Sequence, residues 1–244
     1  MNLILLEPGE LGGASIVTLT GPRADHLRQV LHVAPGHEVR VGVLDGPRGI
    51  ARVESISGDM IALRCTLDAE TPPRPPVDLL LAVPRPKVMR RLWAQIAALG
   101  AGQIILTNAE KVERNYFDTH ILSPETYRPL LIEGLQQSRD TRLPAVSIHR
   151  QFKPLIEDQL DGLFGDGLRI VADPSATVSL GDVGRESGDQ RILLAIGPEG
   201  GWNRFELGLL ESRGFRKAGM GPRTLRTDTA CVAALAIMHS AVRN

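Results

Sequence analysis

The chain has 244 residues, 43% of them hydrophobic, and its 28 Lys and Arg balance 28 Asp and Glu. That length and apolar content can fill a core, while zero formal charge excludes a global basic field that would hold nucleic acid without specificity. Any nucleic-acid site must therefore be a local patch.

The opening MNLILLEPGE has no basic segment before its short apolar run, and the longest later apolar run, Ala230 to Met238, is far too short to cross a bilayer. Neither a signal peptide nor a membrane helix is expected. Cys65 and Cys231 form no CxxC or Cys/His pattern, so a reduced cytoplasmic protein with no metal is the expectation.

In residues 1–70 a short helix is predicted first, with Ala24, Leu27, Val30 and Leu31 on one face and Thr20 as its cap. Pro35 and Gly36 then mark a turn. Val39, Val41 and Val43 interleave with Glu38, Arg40 and Gly42, and Ile61, Leu63, Cys65 and Leu67 alternate in the same way, the pattern of half-buried strands. Between them Asp45 to Gly49, DGPRG, supplies another turn. These elements predict a small β-barrel with a helix across one end.

Residues 71–76 read TPPRPP, which neither a helix nor a central strand can traverse, and the domain boundary is placed there. In residues 77–244 short apolar runs alternate with helical segments, the mark of a mostly parallel sheet covered by helices. Strands are predicted at Leu79 to Val83, Ile104 to Thr107, Val146 to His149, Leu168 to Ala172, Ile192 to Ile196 and Phe215 to Met220. Ser123 with Pro124 signals a helix start, and Asn203 with Glu206 makes a capping box for a helix closed by Gly214.

Two glycine-proline loops follow two successive strands of this series. IGPEGGWNRFE begins at Ile196, and GMGPRTLRTDTA runs from Gly219 to Ala230. Glycines there let a ligand approach bare backbone, and in α/β sheets ligands bind at the carboxyl ends of strands, so both loops can wall one crevice. Neither loop is a P-loop or a GxGxxG fingerprint, which disfavours ATP and NAD. Between Ser212 and Thr227 lie Arg213, Arg216, Lys217, Arg223 and Arg226 without an acidic residue, and Pro84 to Leu92 carries Arg85, Lys87, Arg90 and Arg91, also without one. Both runs can contact phosphates or can be solvated faces. Residues 1–70 instead hold six Arg against nine Asp or Glu, a net of minus three, so contacts there would come from selected residues such as His26 and Arg28.

GPEGG followed by MGPRTLRTDTA resembles the paired motifs of the RsmE family of SPOUT-class methyltransferases, which methylate N3 of a uracil in 16S ribosomal RNA. HLRQVLHVAPGHEVRV is similar to that family's N-terminal signature. The resemblance implies an α/β fold with a SPOUT-type knotted, mostly parallel sheet, helices on both faces, and a small PUA-like N-terminal β-barrel that binds RNA. It implies a homodimer, with the C-terminal helix at the interface, acting on 16S rRNA or the small subunit. It also implies S-adenosylmethionine as cofactor. Ala172, Asp173 and Pro174 would form one loop, Ile196, Gly197, Pro198, Glu199, Gly200 and Gly201 a second, and Met220, Gly221, Leu225, Arg226, Thr227 and Thr229 a third.

Methylation at N3 needs an imide proton removed and the resulting charge stabilised, tasks suited to a carboxylate and an arginine. Glu199 and Arg226 are the candidates, with Asp228 as a helix cap and with Arg85, Lys87, Arg90, Arg91, Arg223, His26 and Arg28 for RNA. The chain departs from the family at Ala98, where glutamate is usual, and at QQSRDTR from Gln136 to Arg142, where the family has an EQSGR-like segment. A SPOUT enzyme acting on another base or a ribose 2′-hydroxyl, or a non-catalytic RNA-binding assembly factor, are the alternatives.

Overall fold

In the computed structural model, which describes residues 2–12 and 15–242, the chain forms two compact units. The first comprises the residues up to Arg74 together with Ile132–Leu143; the second comprises Pro75–Leu131 and the residues from Pro144 onward.

The first unit is built on β1 (Ile4–Leu6), β2 (Ile16–Leu19), α1 (Gly21–Gln29), β3 (Glu38–Val43), β4 (Arg48–Ser57) and β5 (Met60–Leu67). Its five strands form a mixed sheet in the order β1-β3-β4-β5-β2, curled into half a barrel, with only the β1–β3 pair parallel. Alternation does the folding work: Ile61, Leu63 and Cys65 of β5 and Ala51 and Val53 of β4 point inward to meet Ile4, Leu6, Val17, Leu19 and Leu27. At Gly49 β5 passes close over β4, since a Cβ there would lie 2.1 Å from the Thr66 carbonyl oxygen.

Two details of the predicted helix are corrected. Val30 and Leu31 lie beyond the end of α1 and are 60% and 46% exposed, and Thr20 is its N-cap by backbone only, with no side-chain capping bond. Ala24 and Leu27 are the residues the helix buries. Residues 132–143 complete the unit. The Thr141 hydroxyl donates to the Gly46 carbonyl at 2.7 Å, and the Asp45 amide donates to the Thr141 carbonyl at 2.7 Å. The QQSRDTR segment thus braces the β3–β4 turn.

The second unit contains β6 (Val77–Ala82), α2 (Pro86–Leu99), β7 (Ala101–Thr107), the first part of α3 (Pro124–Ser138), β8 (Ala145–His149), α4 (Phe152–Pro154), a π-helical turn (Leu155–Gln159), α5 (Leu160–Phe164) and β9 (Leu168–Ala172). It continues with α6 (Leu180–Arg185), β10 (Ile192–Ile196), α7 (Arg204–Ser212), β11 (Arg216–Ala218) and α8 (Thr227–Val242). Six parallel strands lie in the order β11-β9-β10-β6-β7-β8. The central strands β6 and β10 are buried at every position; β10 is an unbroken apolar run, and β6 is apolar apart from the buried Asp78, which pairs with Arg191, whereas β11 at one edge is only three residues long and polar.

Helix α2 buries Met89, Leu92, Trp93, Ile96 and Ala97 at helical spacing, starts on Pro86, and ends at Gly100 with φ +83. That stripe turns Lys87, Arg90 and Arg91 to solvent. Helix α8 buries Cys231, Ala234, Leu235 and Met238, and packs on α6, α2, β10 and β6. At Gly184 of α6 a Cβ would lie 2.7 Å from the Met238 methyl and 2.8 Å from the Ala241 methyl, which is why that crossing can be close. Complete burial pushes the Cys231 thiol far above its ordinary range, so it is a packing residue and not a nucleophile. No helix among the described residues is long and apolar enough to cross a membrane.

Candidate active site

The carboxyl ends of β9, β10 and β11 release three loops that enclose a cavity of about 320 Å3. The size falls at the lower end of ligand pockets, about 300–1,000 Å3, and the position is the one where open parallel sheets bind ligands.

The first loop contributes Ala172, Asp173, Pro174 and Ser175. Asp173 Oδ1 accepts from the Ser175 amide at 2.8 Å and its hydroxyl at 2.7 Å, which fixes the turn. The second loop contributes Ile196, Gly197, Pro198, Glu199, Gly201 and Trp202. Its turn closes with the Gly201 amide on the Pro198 carbonyl at 2.8 Å, and Gly201 sits at φ +69, which disfavours any side chain. The expected capping box then starts α7: Asn203 Oδ1 accepts from the Glu206 amide at 2.7 Å and Glu206 Oε2 from the Asn203 amide at 2.8 Å. The third loop contributes Met220, Gly221, Arg223, Thr224 and Leu225, and Thr227 and Ala230 of α8 complete that side. The Thr227 hydroxyl donates to the Gly197 carbonyl at 3.4 Å, joining the third loop to the second.

Gly200, Arg226 and Thr229, all expected around the cofactor, do not line the cavity. Gly200 faces outward, where a Cβ would lie 2.7 Å from Lys111 Cδ. Thr227 and Ala230 take the inner face of the first turn of α8, which leaves Thr229 exposed. Arg226, just before the helix, is exposed. Asp228 lies within the first turn instead of capping it: Oδ1 accepts from the Thr229 amide at 2.9 Å and Oδ2 faces Arg91 at 3.0 Å. Glu199 lines the cavity with its carboxylate 3.5 Å from Arg85 Nε. Lys87, Arg90, Arg223 and Arg226 have no carboxylate partner among the described residues.

In the first unit, Arg28 is engaged by Asp25 at 2.5 Å and by the Gly58 carbonyl, and His26 is half-buried on α1. Sequence reasoning missed Ser175, Trp202, Leu207, Thr224 and Ala230 as lining residues. Trp202 had a local signal, since a large aromatic at the end of a glycine loop can fold back on the glycine that opens it. Its ring lies 3.1 Å from where a Gly197 Cβ would stand.

The sequence pattern of the RNA methyltransferase domain family matches residues 71–239. Over 98% of its length the chain is 31% identical to a ribosomal RNA small subunit methyltransferase E of Treponema pallidum, covering 90% of that protein. The chain belongs to this family. A relative from Borreliella burgdorferi, named ribosomal RNA small subunit methyltransferase E 1, is 24% identical with both chains fully covered. The family fold is seen in the ribosomal RNA small subunit methyltransferase E of Neisseria gonorrhoeae, bound to S-adenosyl methionine. It is 22% identical, has a TM-score of 0.77, and the match covers 98% of this chain and 97% of that one. The matched domain begins at the predicted joint, Thr71, and contains all three loops of the cavity.

Proposed function

We propose that the protein methylates N3 of a uracil in 16S ribosomal RNA, with S-adenosylmethionine held in the three-loop cavity. The observation that carries this reading is the cavity itself, built at the strand ends from the two motifs that resemble the family's paired loops. Its walls fit the cofactor. Ile196, Met220 and Leu225 offer apolar surface, and Gly201 and Gly221, at φ +69 and +101, keep two stretches of backbone bare. The indole N–H of Trp202 is buried without a partner among the described residues, an unanswered donor in the cavity wall. Asp173 in the cavity wall is the polar group that would orient a ribose.

When bound, S-adenosylmethionine supplies an electrophilic methyl group on its sulfonium. The chain has to bring a uracil to that cavity, remove its N3 proton and stabilise the charge left on the flanking carbonyl oxygens. Glu199 is the carboxylate at the cavity wall and would take the proton. Arg226, unclaimed by any carboxylate among the described residues, would face the developing charge from outside the cavity. Lys87, Arg90 and Arg223 would hold phosphates, and Arg91 and Arg85 would do so in exchange with Asp228 and Glu199. Transfer of tritium from methyl-labelled S-adenosylmethionine to ribosomal RNA lacking the modification, followed by nucleoside analysis, tests the reading. The expected product is 3-methyluridine; a different methylated nucleoside or no transfer overturns it.

The protein would work as a homodimer through the outer face of α8. Beside Met220 and Gly221 a second groove is lined by Val178, Leu180 and Ile237, and Val178 is 44% exposed. Ala234 is fully buried, so a charged residue there would break the core; Ala236 is exposed and is the residue to change. Ala236→Arg is expected to give a folded monomer by light scattering where the wild type is a dimer. A wild-type monomer, or an Ala236→Arg dimer, would discard this arrangement.

A further inference from the structure

The cavity side of the Pro198–Gly201 turn faces the cofactor site, but its outer side is fastened to residues that follow β7. The Lys111 ammonium donates to the Gly200 carbonyl at 2.6 Å, and its aliphatic stem covers Gly200 closely enough that a Cβ there would meet Cδ at 2.7 Å. Next to it the Glu110 amide donates to Glu206 Oε1 at 2.7 Å, while the Glu110 carboxylate accepts from the Asn203 side-chain amide. Glu206, only 3% exposed, therefore spends one oxygen on its own helix cap and the other on this neighbouring loop. The peptide between Gly200 and Gly201 is fixed at both ends, its carbonyl by Lys111 and its N–H by the Pro198 carbonyl at 2.8 Å. A flip of that peptide would move the left-handed Gly201 and reshape the wall to which Pro198, Glu199 and Gly201 belong.

We infer that Lys111 is a positioning residue for cofactor binding, holding the Gly200–Gly201 peptide in the orientation that shapes the cavity without itself entering it. This rests on the cavity being the S-adenosylmethionine site. The contact joins a charged donor to a carbonyl at an exposed position, so it contributes modestly to overall stability but decides between two local conformations of a glycine pair.

Lys111→Met keeps most of the stem and removes the donor; Lys111→Arg restores a cation. Titration calorimetry of the full chain with S-adenosylmethionine and with S-adenosylhomocysteine is expected to give a dissociation constant about tenfold weaker for Lys111→Met and within about twofold of wild type for Lys111→Arg. In the transfer assay Lys111→Met should raise KM for the cofactor and leave kcat at saturation near wild type, with an unchanged unfolding midpoint in the absence of ligand. Equal cofactor affinity in Lys111→Met and wild type would overturn the inference. So would a loss confined to RNA affinity, which would make Lys111 a phosphate contact. If wild type binds neither ligand, the functional reading fails first, and that result is distinct from both.

Discussion

Arg226→Ala is expected to lower methyl transfer about 10²- to 10³-fold while changing cofactor affinity little, because a guanidinium facing a developing oxyanion acts mainly in the transition state. The position of the side chain makes the separation sharp. Leu225 and Thr227 on either side line the cavity, whereas Arg226 itself is exposed and outside it, with no carboxylate partner among the described residues. Lys87→Ala combined with Arg90→Ala should have the complementary effect. These cations stand on the solvent face of α2 with no carboxylate partner among the described residues, so their loss should weaken RNA binding and reduce its salt slope by roughly one to two, with turnover at saturating RNA preserved. Near-wild-type turnover of Arg226→Ala at saturating RNA and cofactor would instead place Arg226 on the RNA-holding surface.

Gly201→Val is expected to weaken S-adenosylmethionine binding by at least about tenfold, through the backbone and not through lost space. Nothing lies within 4 Å of where its Cβ would stand, but φ is +69, a region that costs a β-branched residue on the order of 1–3 kcal/mol. Relief of that strain requires the Pro198–Gly201 turn to open, and the cavity wall goes with it. Calorimetry and thermal unfolding together decide the matter: a folded variant with wild-type affinity would reduce the glycine to a connector. Gly200 lacks the positive φ and faces Lys111, so a substitution there acts through a different contact.

The parallel sheet was legible because its strands obey simple patterns. Leu168 to Ala172 and Ile192 to Ile196 were placed to the residue: the second is an unbroken apolar run and the first is apolar apart from Arg169. β4 was not marked, although Ala51 and Val53 alternate as well as their neighbours do, because its first residues, Arg48 and Gly49, belong to the DGPRG stretch that reads as a turn. The loops of the site were visible as motifs, but which of their residues face inward was not. Gly200 and Gly201 are adjacent and chemically identical, yet one lines the cavity and the other meets a lysine 89 residues away in sequence. Such facing depends on the turn's hydrogen bonds and on the register of α8, which linear spacing does not encode. Lys111 escaped notice for the same reason, standing after β7 with no glycine or motif around it.

The chain passes between its two units three times, after Arg74, after Leu131 and after Leu143, and this ordering constrains folding during synthesis. The curled N-terminal sheet cannot be braced when only its own strands have emerged from the ribosome. It lacks the Thr141 contacts to Asp45 and Gly46, the hydroxyl bond spanning 95 residues, until the ribosome has also made β6, α2, β7 and α3. Those elements belong mostly to a sheet whose central strand β6 must in turn wait for β10, so neither unit can close before the other has begun. Long loops must be closed before such contacts form, which predicts slow and interdependent maturation of the two units. A fragment ending at the proline-rich joint would hold all five strands of that sheet but lack its Ile132–Leu143 brace.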